Sequence, residues 1–215
     1  MISMIAFAKD YDGRTPWFRR KDFELPGAIS VLENRFVPQS GFLALDDIAV
    51  DPSLRIRGFM VAVTKDQILP TLKEILAIVA PGDNKLDFIV DSFCDDGHTQ
   101  RTSKIGENLP RKKIEQTLDS FKDLLLNDGH HAYAFSPTDD TPCEVQLDDH
   151  KLIIIYFRDR ELGEILQGVL ADMGLDKHPT LSTVLDVEHV HESQNHHKNA
   201  SEQLERLFDL KPLEW

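Results

Sequence analysis

Hydrophobic positions along this chain fall into two rhythms that take turns, one of period two and one near 3.6, and each change of rhythm marks a new element. Residues 42–45, 47–50 and 57–64 read as strands, the last two joined by a turn containing Asp51-Pro52-Ser53. Then Ile68, Leu69, Leu72, Ile75, Leu76 and Val79 form one stripe, which predicts a helix closed by Pro81-Gly82. Thr64 and Gln67 are spaced as a capping box, Asp66 is a rival N-cap, and Pro70 is tolerated only in the first turn. Strand rhythm returns at 85–93, where Leu86, Phe88 and Val90 alternate with Asp87 and Asp91. Ahead of all this, residues 1–8 and 28–33 read as short strands separated by loops.

The second half repeats the alternation. A polar stretch, 94–108, precedes a helix that starts near Pro110, carries Ile114, Leu118, Phe121 and Leu125 on one face, and ends at Asp128-Gly129. A strand at 131–135 follows, then a hairpin of 143–147 with 152–157 across Asp148-Asp149-His150. Asp159 opens a helix whose buried side is expected to hold Leu162, Ile165, Leu166, Val169, Leu170 and Met173, closed by Gly174. A last strand at 185–190 and a helix over 196–208 complete the chain.

The order strand, strand, strand, helix, strand thus occurs twice, over 42–93 and 131–191. Setting Phe59 against Leu152 aligns Asp66 with Asp159, Leu69 with Leu162 and Leu72 with Ile165 without a gap. The expected fold is α+β: a mostly antiparallel sheet, two similar units from an internal duplication, and a C-terminal helix, all in a single domain spanning 1–215. The cleft between two such halves is the natural place for a site.

Composition narrows the classes. The net charge is −13, and residues 131–215 hold 17 acidic against 7 basic side chains, a field that repels phosphate backbones and argues against nucleic acid. No run of about eighteen apolar residues spans a membrane, and two cysteines, Cys94 and Cys143, make no disulfide framework, so a cytoplasmic location is expected. The acidic half favours a basic protein partner or self-association.

Chemistry-bearing residues concentrate near the end. His189 and His191 project from one face of a strand, the spacing with which two imidazoles share a metal, and Glu192 or His196 is the candidate third ligand. The equivalent loop of the first unit offers His98 and Asp95. No phosphate loop, zinc-protease motif or dinucleotide fingerprint occurs, and no cofactor is expected. The segment Leu45-Asp-Asp-Ile-Ala-Val-Asp-Pro-Ser-Leu-Arg-Ile-Arg-Gly58 resembles the strand and turn that hold acetyl-coenzyme A in N-acetyltransferases, which implies a cofactor helix beginning just after Gly58. The leading expectation is a non-enzymatic binding or protein-interaction module. The alternatives are a metal-dependent hydrolase using His189 and His191, and a degenerate N-acetyltransferase-like fold.

Overall fold

Alternating strands and amphipathic helices leave one apolar sheet face and several apolar helix stripes, and burying these against each other sets the architecture. The computed structural model describes residues 19–20, 23–32, 36–51, 54–93, 101–139 and 142–213, with side chains described in all of these except 19–20, 46–51 and 54–55. The N-terminal part contributes β1 (Arg19–Arg20), β2 (Phe23–Glu24) and β3 (Ile29–Val31). A hairpin of β4 (Gly41–Asp51) and β5 (Leu54–Ala62) leads into α1 (Ile68–Val79), β6 (Lys85–Phe93), β7 (Arg101–Pro110), α2 (Arg111–Ser120) and α3 (Lys122–Asn127). Then come β8 (His131–Pro137), β9 (Cys143–Leu147), β10 (Ile153–Phe157), α4 (Arg160–Asp172), β11 (Lys177–His178), a single 3-10 turn at Val184–Asp186, β12 (His189–His191), α5 (Asn195–Phe208) and β13 (Lys211–Pro212).

Nine strands make one sheet in the order β11-β4-β5-β10-β9-β8-β6-β7-β13, and only the β11–β4 pair is parallel. Period two sorts its side chains: Ile153, Ile155 and Phe157 of β10 join Val145, Leu147, Phe88 and Phe135 in the main core, beneath Leu72, Ile75, Leu76, Leu166 and Leu170 of the helices. Leu152, Ile154 and Ala62 turn to the other face and pack with Leu181. A third cluster gathers Phe23, Leu25, Ala28, Ile29, Val31, Phe36 and Val184 around β3. The α+β class and the mostly antiparallel sheet are as the sequence rhythm implies.

Several expectations change. The strands at 42–45 and 47–50 are one strand, β4, whose pairing with β5 shifts between Leu45 and Ile48. The polar stretch contains β7, hidden because its buried residues, Ser103, Gly106 and Leu109, are small or widely spaced while its backbone pairs with β6. The helix after Pro110 breaks at Phe121, which leaves helical geometry at φ −106°, ψ 20°. Thr64 caps nothing in α1; its hydroxyl accepts the Glu24 amide at 2.7 Å. Residues 185–190 are not one strand but the 3-10 turn followed by β12, which pairs with β3 in a separate two-stranded sheet. Residues 1–8 lie outside the described residues.

The two hairpins meet through β5 and β10, with Phe59 opposite Ile155. The gap-free alignment of Phe59 with Leu152 does not match their surroundings, because Phe59 faces the main core and Leu152 the opposite cluster. A slip of one residue exchanges sheet faces. The chain after each helix also differs: β6 is a nine-residue strand between β8 and β7, whereas α4 leads to two-residue β11 beside β4.

The helix face of α4 is the clearest thermodynamic test of this packing. Leu166 is fully buried, whereas Ile165, expected inward from periodicity, is 47% exposed. Leu166→Ala is expected to destabilise by about 2–5 kcal/mol and Ile165→Ala by under about 1 kcal/mol in denaturant titrations. Equal losses would contradict the observed face.

Candidate histidine-rich site

Seven of the nine histidines collect where α3 ends and β8 begins, and the turn Asp128-Gly129 is the piece they share. Gly129 is packed so closely that an added Cβ would sit 2.5 Å from the Ala28 carbonyl oxygen and 3.0 Å from His191 Cβ. Its amide donates to the Glu192 carbonyl at 2.7 Å, and the Glu192 amide donates to the Ala28 carbonyl at 2.7 Å. β12 is thereby held between β3 and the turn, in antiparallel register His189 with Val31 and His191 with Ile29.

Period two places His189 and His191 together while Val190 faces outward, 41% exposed. Each imidazole is oriented through Nδ1: His189 toward the Val187 carbonyl at 2.8 Å, His191 toward the Gly129 carbonyl at 2.8 Å. A carbonyl accepts, so Nδ1 is the donor in both rings, and in the neutral tautomer the lone pair is then on Nε2. The third member is His150, from the turn between β9 and β10. Its ring lies 4.9 Å from that of His189 and 4.8 Å from that of His191, and one nitrogen from each of the three lies within 4.8 Å of the others.

The turn presents His150 through local bonds. Leu152 donates its amide to the Asp148 carboxylate at 2.7 Å, and Lys151 takes a left-handed φ of 64° that reverses the chain. His150 Nδ1 lies 3.0 Å from Asp149 and 3.3 Å from Asp148, in bent rather than linear contacts. Burial works against its charge, but the two carboxylates prevail and hold the imidazolium up to about 9. Burial likewise raises Asp149, and the His150 imidazole outweighs it, leaving the carboxyl near 2. Lys151 is 2% exposed, donates to the His131 carbonyl at 2.8 Å, and is drawn down by burial to about 8.

Of the other residues expected from sequence, Glu192 engages neighbours through its backbone and is not among the three clustered ligands. His196 belongs to a separate group: its Nε2 lies 2.6 Å from Asp123, which His197 Nε2 also approaches at 3.2 Å. His197 Nδ1 accepts the Gln194 amide at 3.2 Å, so neither of its nitrogens keeps a free lone pair. His98, Asp95 and Cys94 lie outside the described residues. Cys143 is buried, its thiol pushed up to about 12 by burial, and so is no nucleophile. His150 was not foreseen because only the fold brings the hairpin turn to β12; the sequence cue was a histidine beside two carboxylates at a turn.

A cleft of about 640 Å³ opens beside this region, and both strand ends singled out from sequence line it: Ser92 and Phe93 at the end of β6, Ser193 and Gln194 after β12. The acetyltransferase-like segment lies elsewhere. Phe59–Ala62 continues β5 against β10 instead of starting a helix, and Arg57 and Gly58 line a cleft of about 410 Å³ with Arg160 and Lys177. No helix among the described residues is long and apolar enough to cross a membrane. No protein-family model, curated protein or solved structure matches the chain, so the site is read from its own geometry.

Asp128 provides a pH test. Burial raises its pKa, but the His131 ring, the His130 amide and the charge of Lys151 reverse this and bring it from 3.8 down to about 2. The charged form therefore stabilises the fold above about pH 4, and that contribution is lost as pH falls toward 2. It amounts to about 2 kcal/mol. Asp128→Asn is expected to remove it, flattening the fall of urea midpoint between pH 4 and 2; an unchanged slope would contradict the assignment.

Proposed function

We propose that this chain is a binding module for a first-row transition-metal ion of the zinc class, held by His150, His189 and His191. The observation supporting it is the convergence of three imidazoles, one nitrogen of each within 4.8 Å of the others, with the rings of His189 and His191 oriented through Nδ1 by backbone carbonyls. Imidazole is a ligand type suited to zinc, copper, iron and nickel. Zinc–nitrogen bonds of about 2.0–2.1 Å in a tetrahedral site separate the nitrogens by roughly 3.3 Å, so ring rotations must draw the donors together from at most 4.8 Å. Asp149, 3.7 Å from His191 and 3.0 Å from His150, supplies the outer carboxylate that raises ligand basicity. The ion would fasten β12 to the β9–β10 turn, segments that the chain itself joins through β10, α4, β11 and the 3-10 turn.

Hydrolysis at this ion, the enzymatic variant of the same reading, needs an open fourth position, which three protein ligands leave. The partner-binding reading of the acidic C-terminal half rests on charge alone. The internal duplication expected over 42–93 and 131–191 is supported only by the shared hairpin-then-helix order of 41–79 and 143–172, whose strands β5 and β10 pair.

Zinc titrated into untagged, metal-stripped protein is expected to bind one ion per chain. At a hundredfold excess over Kd it should add about 2.7 kcal/mol, roughly 5–10 °C in melting temperature. Alanine at His150, His189 or His191 should weaken binding by more than the roughly 10- to 100-fold that losing an outer carboxylate costs, and His196→Ala should leave it unchanged. Affinity should fall on acidification, because protons compete for the ring nitrogens. Binding that ignores His150→Ala would contradict the site.

A further inference from the structure

The cleft of about 640 Å³ contains a second constellation, independent of the three-histidine group. Ser201, on α5, has its Oγ 3.1 Å from His131 Nε2. His131 Nδ1 in turn lies 3.2 Å from Asp128 Oδ2. The Asp128 carboxylate is anchored on its other oxygen by the His130 amide at 2.8 Å, and the residue is 1% exposed. Lys151 holds the His131 backbone carbonyl, and the Tyr133 ring lies nearly parallel to the imidazole at 6.4 Å. A hydroxyl, an imidazole and a buried carboxylate therefore stand in succession, the imidazole hydrogen-bonded to Ser201 and within ion-pair distance of Asp128. The His131–Asp128 contact is bent, as such contacts commonly are without substrate.

We propose that Ser201 is an acyl-accepting nucleophile, with His131 as its base, Asp128 as the positioning residue for that base, and a small carboxylic ester as substrate in the cleft. The chemistry is complete within these groups. The Oγ–H proton passes to His131 Nε2 as Oγ bonds to the ester carbonyl carbon; collapse of the tetrahedral intermediate breaks the carbon–oxygen bond to the alcohol, which takes the proton from His131. Water then repeats the sequence in reverse roles, His131 accepting its proton and returning one to Ser201 Oγ as the acid is released. Lys198 sits three residues before Ser201, on the same side of α5, and lines the same cleft. Its ammonium is a positive charge available to the developing oxyanion, the other lining lysine, Lys104, being paired with Glu205. Glu205 in another part of the wall is paired with Lys104 at 2.6 Å, which leaves that part of the cleft near neutral and suits an uncharged alcohol portion.

The test uses the full chain and a fluorophosphonate probe, which forms an Oγ–phosphorus bond with loss of fluoride. Peptide mapping is expected to find one label per chain, on Ser201, and none in Ser201→Ala. His131→Gln should slow labelling at least about a hundredfold, the scale of general-base assistance, while melting curves report whether it is folded. A second readout needs no variant: p-nitrophenyl acetate should release a burst of nitrophenolate equal to the chain concentration and leave an acetyl group on Ser201. Failure of both reagents to modify Ser201 in the unaltered protein overturns the proposal. Labelling of Ser201 at an undiminished rate in folded His131→Gln also overturns it.

Discussion

A carboxylate with almost no access to water must be compensated by donors or positive charge, and Asp128 meets that demand with groups from three parts of the chain. The amide of His130 and the ring of His131 come from the start of β8, His197 approaches from α5, and the buried ammonium of Lys151 contributes from the β9–β10 turn. The His130 amide is the hydrogen-bond donor among them, and a buried charge that lost it would keep its desolvation cost.

Gly129 carries the constraint one residue further. With no side chain it lets the Ala28 carbonyl and His191 come against the backbone, and its own carbonyl fixes the His191 ring. Two histidine constellations thus hang on consecutive residues, one on each side of the same turn. Toward β12 the rings of His150, His189 and His191 converge in the pattern of nitrogen ligands; toward α5 His131 stands between Asp128 and Ser201 in the pattern of a proton relay. They differ in what they ask of imidazole. A ligand must keep one ring nitrogen unprotonated and give its lone pair to the metal, whereas a base must accept a proton and return it.

Much of this was legible in the rhythm of the chain, for physical reasons that also mark the failures. Helices α1 and α4 and the β9–β10 hairpin declare themselves because one face of each is buried over its whole length, and Asp159 caps α4 through the Glu161 amide at 2.9 Å. β7 did not, because a strand held mainly by its ladder needs few large apolar residues. The pairing of His189 with His191 was visible since it is local, a matter of period two. Their third partner was not: His150 lies 39 residues before His189, and its approach depends on α4 crossing the sheet and on β3 receiving β12. Glu192 and His196, nearer in sequence, are taken up by backbone pairing and by Asp123. His131 and Ser201 meet across a still longer separation, and no spacing rule joins a strand's first residue to the middle of a distant helix.

The central claim is that three particular ring nitrogens form a metal site. Long-range proton–nitrogen correlation spectra of the histidine side chains, recorded on metal-stripped protein and after adding one equivalent of zinc, test it directly. The account predicts that Nε2 of His150, His189 and His191 shifts to the metal-bound range while Nδ1 of His189 and His191 stays protonated on its carbonyl. Zinc that moves the nitrogens of His196 and His197 instead, or none of the three, would contradict it.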